Sequence, residues 1–124
     1  MRSVAQDAAT RAGLELHLDL RYARRHPREQ LLFSAARELL SNVVRHASAN
    51  ELTVRLYDAA GELELGVEDD GQGFSQERLA EQLADGHVGL ASQRVRIEAA
   101  GGRMDVESVL GEGTVVQIYL PDGP

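Results

Sequence analysis

Hydrophobic and polar residues alternate in five short runs along this chain. The first three runs cover residues 14–20, 52–57 and 62–68, and the last two cover residues 103–109 and 114–120. Strict alternation over this length predicts strands with one buried face and one solvent-exposed face. Such strands form a sheet that needs a covering layer on only one side.

Between these runs the apolar residues recur at helical spacing. Helices are predicted over residues 28–47, 76–84 and 89–100, and residues 3–12 read as the tail of a helix that continues upstream. Pro27 stands where the first of the three helices can begin, and Gly101-Gly102 stops the last one. We therefore predict an α/β two-layer sandwich, with a mixed, mostly antiparallel sheet and about three helices on one face.

Length and composition indicate a single globular domain. The chain has 124 residues, which is enough for one core, and no apolar run is as long as a membrane span. The N-terminal residues do not resemble a signal peptide. The absence of cysteine excludes a disulfide framework and a cysteine nucleophile, and it suits a reducing compartment. We therefore expect a cytoplasmic location.

The charge pattern excludes two classes of protein. The net charge is −7, and the basic residues cluster only in the short stretch 21–30, so the broad basic face of a nucleic-acid-binding protein is missing. All basic residues are arginine, and a P-loop requires a lysine, so a Walker-type nucleotide site is excluded. An acidic chain can still bind a nucleotide through backbone amides and a cation.

The predicted helix over residues 28–47 carries a polar stripe opposite its apolar side. Glu38 and Asn42 are one turn apart, Arg45 lies on the same side, and His46 lies at its edge. These four groups together can hold a hydrated Mg²⁺ and the oxygens of a polyphosphate. The solvent-facing side of an ordinary amphipathic helix has the same pattern. The helix alone leaves both interpretations open.

Three glycine-containing segments follow this helix. DDGQG at residues 69–73 comes directly after a predicted strand, so the backbone can approach a ligand while Asp69 accepts a hydrogen bond. GHVGL at residues 86–90 opens a helix, whose N-terminal amides favour an anion. GEGT at residues 111–114 joins the last two strands. Taken singly, each is equally an ordinary turn, loop or hairpin.

The four patterns together, in this order, resemble the Bergerat ATP-binding family. RELLSNVVRHA corresponds to the N box of that family, DDGQG to the G1 box, GHVGL to the G2 box, and GEGT to the closing motif. Within the family, residues 87–121 are similar to the catalytic domain of bacterial two-component sensor histidine kinases with a NarL-type dimerisation region, as is the short lid at 74–85. The resemblance implies an ATP-binding domain over residues 13–122, with residues 1–12 as a linker or the remnant of a dimerisation helix.

This resemblance implies that ATP and Mg²⁺ are the ligands. Asn42 would coordinate Mg²⁺, Glu38 would polarise a water or the incoming nucleophile, and Asp69 would accept a hydrogen bond from the adenine amino group. Thr114 would contact the edge of the base directly or through water. The other implied binding residues are Arg45, His46, Gly86, Val88, Gly89 and Leu90 near the phosphates, and Gly71 and Gly73 where the backbone passes close to the base.

The resemblance also implies partners. A sensor kinase transfers the γ-phosphoryl group to a histidine on an upstream dimerisation helix, for relay to a response regulator. The four histidines of this chain are His17, His26, His46 and His87, and none has the setting of that acceptor. We therefore expect the acceptor outside this sequence, an isolated domain that is monomeric, and a homodimeric parent kinase, which could be membrane-anchored. No nucleic-acid partner is expected.

Two other functions remain open from the sequence. An anti-sigma-factor-type serine kinase would have the same nucleotide site and would phosphorylate a serine on a partner. A degenerate domain would bind a nucleotide or a partner and transfer nothing. A dimerisation helix in the parent gene would exclude the first, and autophosphorylation of the parent would exclude the second.

Overall fold

A computed structural model of the chain describes residues 1–22, 28–59, 61–84 and 90–121. Within these residues the protein has five strands, four α-helices and one turn of π-helix. In chain order these are α1 (Arg2–Ala12), β1 (Glu15–Arg21), α2 (Glu29–Asn42), the π turn (Val43–Ala47), β2 (Glu51–Ala59), β3 (Glu62–Asp69), α3 (Gln76–Leu83), α4 (Leu90–Ala99), β4 (Arg103–Val109) and β5 (Gly113–Pro121).

The five strands form one mixed, mostly antiparallel sheet, as predicted. Its order is β1-β2-β3-β5-β4; only the β1–β2 pair is parallel, and the other three pairs are antiparallel. The parallel pair follows from the helical crossover through α2, because parallel neighbours cannot be joined by a tight turn. The β2–β3 and β4–β5 hairpins turn at Gly61 (φ +80°) and Gly111 (φ +87°). Glycine adopts this left-handed conformation without steric cost.

Strand register aligns apolar side chains into rows that run across the sheet. Paired residues on neighbouring strands point to the same face. Two rows are apolar on all five strands: Leu18, Val54, Val67, Val116 and Val106 form one, and Leu20, Leu56, Leu65, Ile118 and Met104 form the other. The opposite face carries polar pairs such as Arg55 and Glu68, which are 3.4 Å apart. The sheet is therefore amphipathic, and its core lies on one side.

The helices cover the apolar face with small and branched side chains. Helix α2 buries five residues against the sheet: Leu32, Ala35, Ala36, Leu39 and Leu40. Helix α4 buries Leu90, Ala91 and Ile97. At its end, the amide of Gly101 donates to the carbonyl of Glu98, and the amide of Gly102 donates to the carbonyl of Ile97. This Schellman arrangement, with Gly101 at φ +82°, confirms the predicted helix stop.

Helix α1 corresponds to residues 3–12, which the sequence predicted as the tail of a helix, and it is a fourth helix beside the three that periodicity predicted. It packs against β1, α2 and the π turn, and it buries Ala5, Ala8 and Ala9. None of the described helices combines the length and apolar composition that crossing a bilayer requires.

The long helix predicted over residues 28–47 differs from the structure at its C-terminal end. The predicted start at Pro27 lies outside the described residues, and α2 begins at Glu29. The last turn, Val43–Ala47, is π-helical rather than α-helical, and Ser48 follows it in the left-handed conformation at φ +51°. A π turn bonds each amide one residue further back and widens the helix. Apolar spacing in the sequence cannot distinguish an α-helical turn from a π-helical turn here, because Val43 lies on the buried side in either case.

Candidate active site

One cavity of about 730 Å³ lies where α2 and the π turn meet the ends of β3 and β5. This volume is within the usual range for small-molecule sites. Helix α3, the start of α4 and the β4–β5 turn complete its walls. The described residues that line it are Glu38, Leu39, Ser41, Asn42, Val43, Arg45, Val67, Asp69, Gln72, Gly73, Phe74, Ser75, Arg78, Gln82, Leu90, Leu110, Thr114 and Val116.

The inner face of the sheet changes from apolar to polar at this cavity. Next to the row of Leu18, Val54, Val67, Val116 and Val106 lies a row that consists of Leu16, Leu52, Asp69, Thr114 and Ser108. It is apolar on β1 and β2 and polar on the other three strands. We call Asp69, Thr114 and Ser108 the polar corner. The neighbouring rows are apolar throughout, so the polar corner is where the buried face of the sheet becomes polar, and its residues Asp69 and Thr114 line the cavity.

Asp69 is the buried carboxylate of the polar corner. It is 9% exposed, and its Oδ1 accepts a hydrogen bond of 2.9 Å from the amide of Gly71. Burial raises its pKa above the ordinary value, and the amides of Gly71 and Thr114 offset part of that effect. An acceptor that is buried beside an open cavity can recognise a donor on a ligand with high specificity.

Asp70 has the same chemistry as its neighbour but a different role. Its Oδ1 accepts hydrogen bonds of 2.8 Å from the amides of Glu51 and Asn50, where β2 begins. These backbone donors lower the pKa of Asp70 below its ordinary value. Asp70 does not line the cavity. Its two hydrogen bonds tie the loop after β3 to the start of β2.

The polar stripe of α2 lines the cavity beside the polar corner. Arg45 Nη2 donates to Asn42 Oδ1 at 3.2 Å and lies 3.7 Å from Glu38 Oε1. The structure therefore groups these three residues on one side of the helix, as predicted. Asn42 is the last α-helical residue and Arg45 lies in the π turn, which is an element often found at functional sites. His46 belongs to the same turn.

In the DDGQG segment, Gly73 has a structural reason to be glycine. The amide of Gly71 binds Asp69, and Gly73 lies at φ +63° against the β4–β5 hairpin. A Cβ at Gly73 would come within 2.3 Å of the carbonyl oxygen of Val109. The GEGT segment meets the same loop from the other side, because a Cβ at Gly113 would lie 2.0 Å from the carbonyl oxygen of Asp69. The two loops are therefore in direct backbone contact.

The GHVGL segment is described only at its last residue. Leu90 is buried, begins α4 and lines the cavity. The other binding residues predicted there, Gly86, Val88 and Gly89, lie outside the described residues. The predicted lid, residues 74–85, contains α3, whose first turn is capped by Ser75 Oγ accepting from the amide of Arg78 at 3.2 Å.

The residues that sequence reasoning missed include two that line the cavity and a third that contacts a lining residue from behind. Arg78 and Gln82, one turn apart on α3, both line it, so a second arginine joins Arg45 there. Their i, i+4 spacing, beside the apolar pair Leu79 and Leu83, was a signal that could have identified them. Ser108 carried no signal by itself, since only the register of β4 with β5 brings it to Thr114.

The oxygen atoms of Glu38 and Asn42 fit a magnesium ion. Mg²⁺ takes hard oxygen ligands, typically one or two protein groups together with phosphate oxygens and water. A second group of candidate ligands, Glu15, His17 and Glu51, lies exposed on β1 and β2, with His17 Nε2 3.5 Å from Glu51 Oε1. None of these three residues lines the cavity.

The sequence of this chain is similar to sensor kinases along nearly its whole length. Residues 28–124 match the histidine kinase-, DNA gyrase B-, and HSP90-like ATPase family. The sensor histidine kinase NarS of Mycobacterium tuberculosis is 40% identical over 98% of this chain. The sensor histidine kinase LiaS of Bacillus subtilis is 34% identical over 96% of it. In both cases the chain spans 28% of the length of the relative.

Solved structures with the same fold include histidine kinases. The Acinetobacter baumannii histidine kinase AdeS matches 99% of this chain and 63% of its own chain, with a TM-score of 0.80 and 20% identity. The histidine kinase domain of the blue-light activated kinase EL346 from Erythrobacter litoralis matches 97% of this chain and 58% of its own, with a TM-score of 0.77 and 23% identity. The sequence match covers most of the chain, and the cavity lies within it. The chain therefore belongs to the histidine kinase-, DNA gyrase B-, and HSP90-like ATPase family.

Proposed function

We propose that this chain is the ATP-binding catalytic domain of a sensor histidine kinase. The observation that carries the proposal is that one cavity combines a buried carboxylate, Asp69, with the cluster of Glu38, Asn42 and Arg45. The first suits the amino group of a base, and the second suits a metal–phosphate group. The similarity to sensor kinases along the chain supports the same assignment.

Asp69 would recognise adenine through its exocyclic amine. Its burial makes a mispaired partner costly, because guanine presents a carbonyl oxygen where adenine presents a donor. The apolar residues Val67, Leu90 and Val116 line the same cavity and suit the faces of a flat ring. Gly71 and Gly73 would let the backbone of the loop follow the edge of the base.

Asn42 would hold Mg²⁺ at the phosphates. The bound ion would neutralise charge on the phosphate oxygens. Arg45 and Arg78 line the cavity and can pair with further oxygens. We propose His46, Gly86, Val88, Gly89 and Leu90 as the remaining contacts to the phosphates, with amides at the start of α4 facing the anion.

In the proposed reaction a histidine nitrogen forms a bond to the γ-phosphorus while the bond to the β–γ bridging oxygen breaks, and ADP leaves with that electron pair. Glu38 would orient the imidazole by accepting its other N–H. The acceptor would lie on the dimerisation helix of a homodimeric parent, and we propose residues 1–12, which form α1, as the link to that helix. A response regulator would then receive the phosphoryl group. We propose a cytoplasmic location for the domain.

Nucleotide binding is tested by titrating the chain with ATP, with and without Mg²⁺, in a calorimeter. We expect a dissociation constant between about 1 μM and 1 mM, which is on the order of −8 to −4 kcal/mol. Asp69→Asn should weaken this binding. Asp70→Asn is its matched control, since Asp69 lines the cavity and Asp70 does not. No heat and no thermal shift at millimolar ATP would contradict the proposal.

Phosphoryl transfer is tested with Asn42→Ala in the chain rejoined to its upstream helix. We expect the rate of phosphohistidine formation to fall more than tenfold, because magnesium contributes several kcal/mol to transition-state stabilisation (roughly a hundredfold or more in rate). The dissociation constant for ATP without Mg²⁺ should change less, since Asp69 is intact. Gln30→Ala, at an exposed position of α2 away from the cavity, is the control.

If the Asn42 variant forms phosphohistidine as fast as the unmodified protein, Asn42 is only part of the solvent-facing side of α2. If the parent kinase forms phosphoserine on a partner and no phosphohistidine, the serine-kinase alternative is correct. If it binds ATP and forms neither product, the domain is a nucleotide-binding module without transfer activity.

A further inference from the structure

Ser108 is a polar residue at an apolar position of β4. The residues of this strand that face the core are Met104, Val106 and Ser108, and Ser108 is only 4% exposed. Apolar residues are the usual choice at such a buried position. The hydroxyl therefore needs another explanation, and its hydrogen bonds supply one.

The Ser108 hydroxyl has three hydrogen-bond partners. The amide of Phe74 donates to Ser108 Oγ at 2.7 Å, and Ser108 Oγ donates to the carbonyl oxygen of Gly113 at 3.1 Å. The third contact, to Thr114 Oγ1, is 2.9 Å long. A serine hydroxyl has one proton and two acceptor lone pairs. All three bonds form together only when the Thr114 hydroxyl is the donor to Ser108.

This arrangement determines what Thr114 can offer to the cavity. Its proton points to Ser108, so only the lone pairs of Thr114 Oγ1 remain for a ligand. Asp69, its partner in the β3–β5 register, is also an acceptor when ionised. The polar corner therefore presents acceptors from both residues that line the cavity.

We propose that Ser108 is a positioning residue that determines the specificity of this site for a purine with an amino group at C6. This inference rests on the proposed nucleotide-binding function. Adenine has two N–H donors on that group, one for Asp69 and one for Thr114. Hypoxanthine and guanine have a carbonyl oxygen there, which would face two acceptors. Without Ser108, the Thr114 hydroxyl would be able to turn and donate to that oxygen.

The experiment compares the binding of ATP and of inosine triphosphate, which carries the C6 carbonyl, to variants of this chain. Ser108→Ala should reduce the ATP preference by about threefold to tenfold, the effect of one neutral hydrogen bond. Ser108→Thr, which keeps the hydroxyl and suits a strand, should retain the preference. Val106→Ala is the control for a truncated inward side chain on the same strand, and it should also retain it.

Thr114→Val provides a second variant of nearly unchanged shape, should Ser108→Ala fail to fold. It removes the acceptor, so we expect a similar loss of preference, arising mainly from weaker ATP binding. An unchanged preference in a folded Ser108→Ala or Thr114→Val variant would overturn the inference and leave Ser108 a purely structural residue. Equal binding of both nucleotides by the unmodified chain would overturn it too. Absence of any ATP binding, by contrast, would contradict the proposed function itself.

Discussion

At the scale of single residues, Asp69 and Asp70 show how position alone separates two identical side chains. Asp69 is buried and lines the cavity, whereas Asp70 is exposed and accepts two backbone amides. The pKa of the first is raised by burial and that of the second is lowered by hydrogen bonds. This difference in burial and hydrogen bonding supports the proposed recognition role of Asp69, and it indicates a role in local stability for Asp70.

Exchanging each carboxylate for an amide should separate these two roles. Asp69→Asn should weaken ATP binding by about 1–3 kcal/mol, because a buried contact becomes mispaired. Asp70→Asn should leave ATP binding unchanged and lower the free energy of unfolding by about 1 kcal/mol, after allowing for solvent screening of an exposed group. Calorimetry and chemical denaturation measure the two effects. Equal ATP affinity of the Asp69 variant and the unmodified chain would refute its assignment.

The same pair predicts opposite dependences on pH. The raised pKa of Asp69 means that folding disfavours its ionised form, so its contribution to stability declines as pH rises from the unfolded-state value of about 3.9 through the folded pKa. The lowered pKa of Asp70 gives a stabilising contribution that is present above about 3.9 and is lost as pH falls through its folded pKa. ATP binding should weaken as Asp69 is protonated, and Asp69→Asn should lack this dependence.

At the scale of elements, the site depends on close contact between the loop after β3 and the β4–β5 hairpin. The amide of Gly111 donates to the carbonyl of Gln72 at 2.7 Å, and Gly73 packs against the Val109 carbonyl. Gly73 and Gly111 both have positive φ, but only Gly73 has backbone within contact distance of a Cβ. The two glycines therefore allow the effects of backbone angle and of close approach to be separated.

Alanine at these two positions should have unequal costs. Gly111→Ala should lower the free energy of unfolding by about 1–2 kcal/mol, the strain of a left-handed alanine. Gly73→Ala should cost about 3 kcal/mol or more, because the Cβ also overlaps the carbonyl of Val109 and forces the loops apart. Denaturant titration of both variants checks this. Equal destabilisation would show that the contact between the loops contributes nothing.

Helix α3 is less firmly attached to the core than helix α2. Only Leu79 among its eight residues is buried, whereas α2 buries five. We expect the amides of α3 to exchange hydrogen faster than those of α2, and ATP to slow them, because Arg78 and Gln82 line the cavity. Hydrogen exchange with mass spectrometry measures this. Equally slow exchange in both helices without nucleotide would contradict the prediction.

At the scale of the whole molecule, α1 is packed as part of the core. Ala8 is 2% exposed and belongs to the same apolar cluster as α2 and the sheet. Ala8→Asp should lower the free energy of unfolding by about 3 kcal/mol or more, because it buries an unpaired charge. Gln6→Asp, exposed on the same helix, should change it by less than about 0.5 kcal/mol. Similar thermal stability of both variants would show that residues 1–12 act as a linker.

Much of the fold follows from local patterns in the sequence. Alternation over short runs predicts all five strands because side chains alternate between the faces of any strand, whatever lies beside it. Helical spacing and glycine stops predict α2, α3 and α4 for the same reason. Glu38, Asn42 and Asp69 line one cavity. No local pattern indicated that these residues would lie together; only the resemblance of the motifs, taken in order, did so.

The amino-acid sequence thus determined which segments become strands or helices and which of their faces are buried, since those properties depend on neighbouring residues. Tertiary structure alone decided the divergence of Asp69 from Asp70 and the hydrogen bond between Ser108 and Thr114. Each of these depends on register or on backbone donors from a distant strand. Such contacts form only when the sheet has assembled, so no local pattern encodes them.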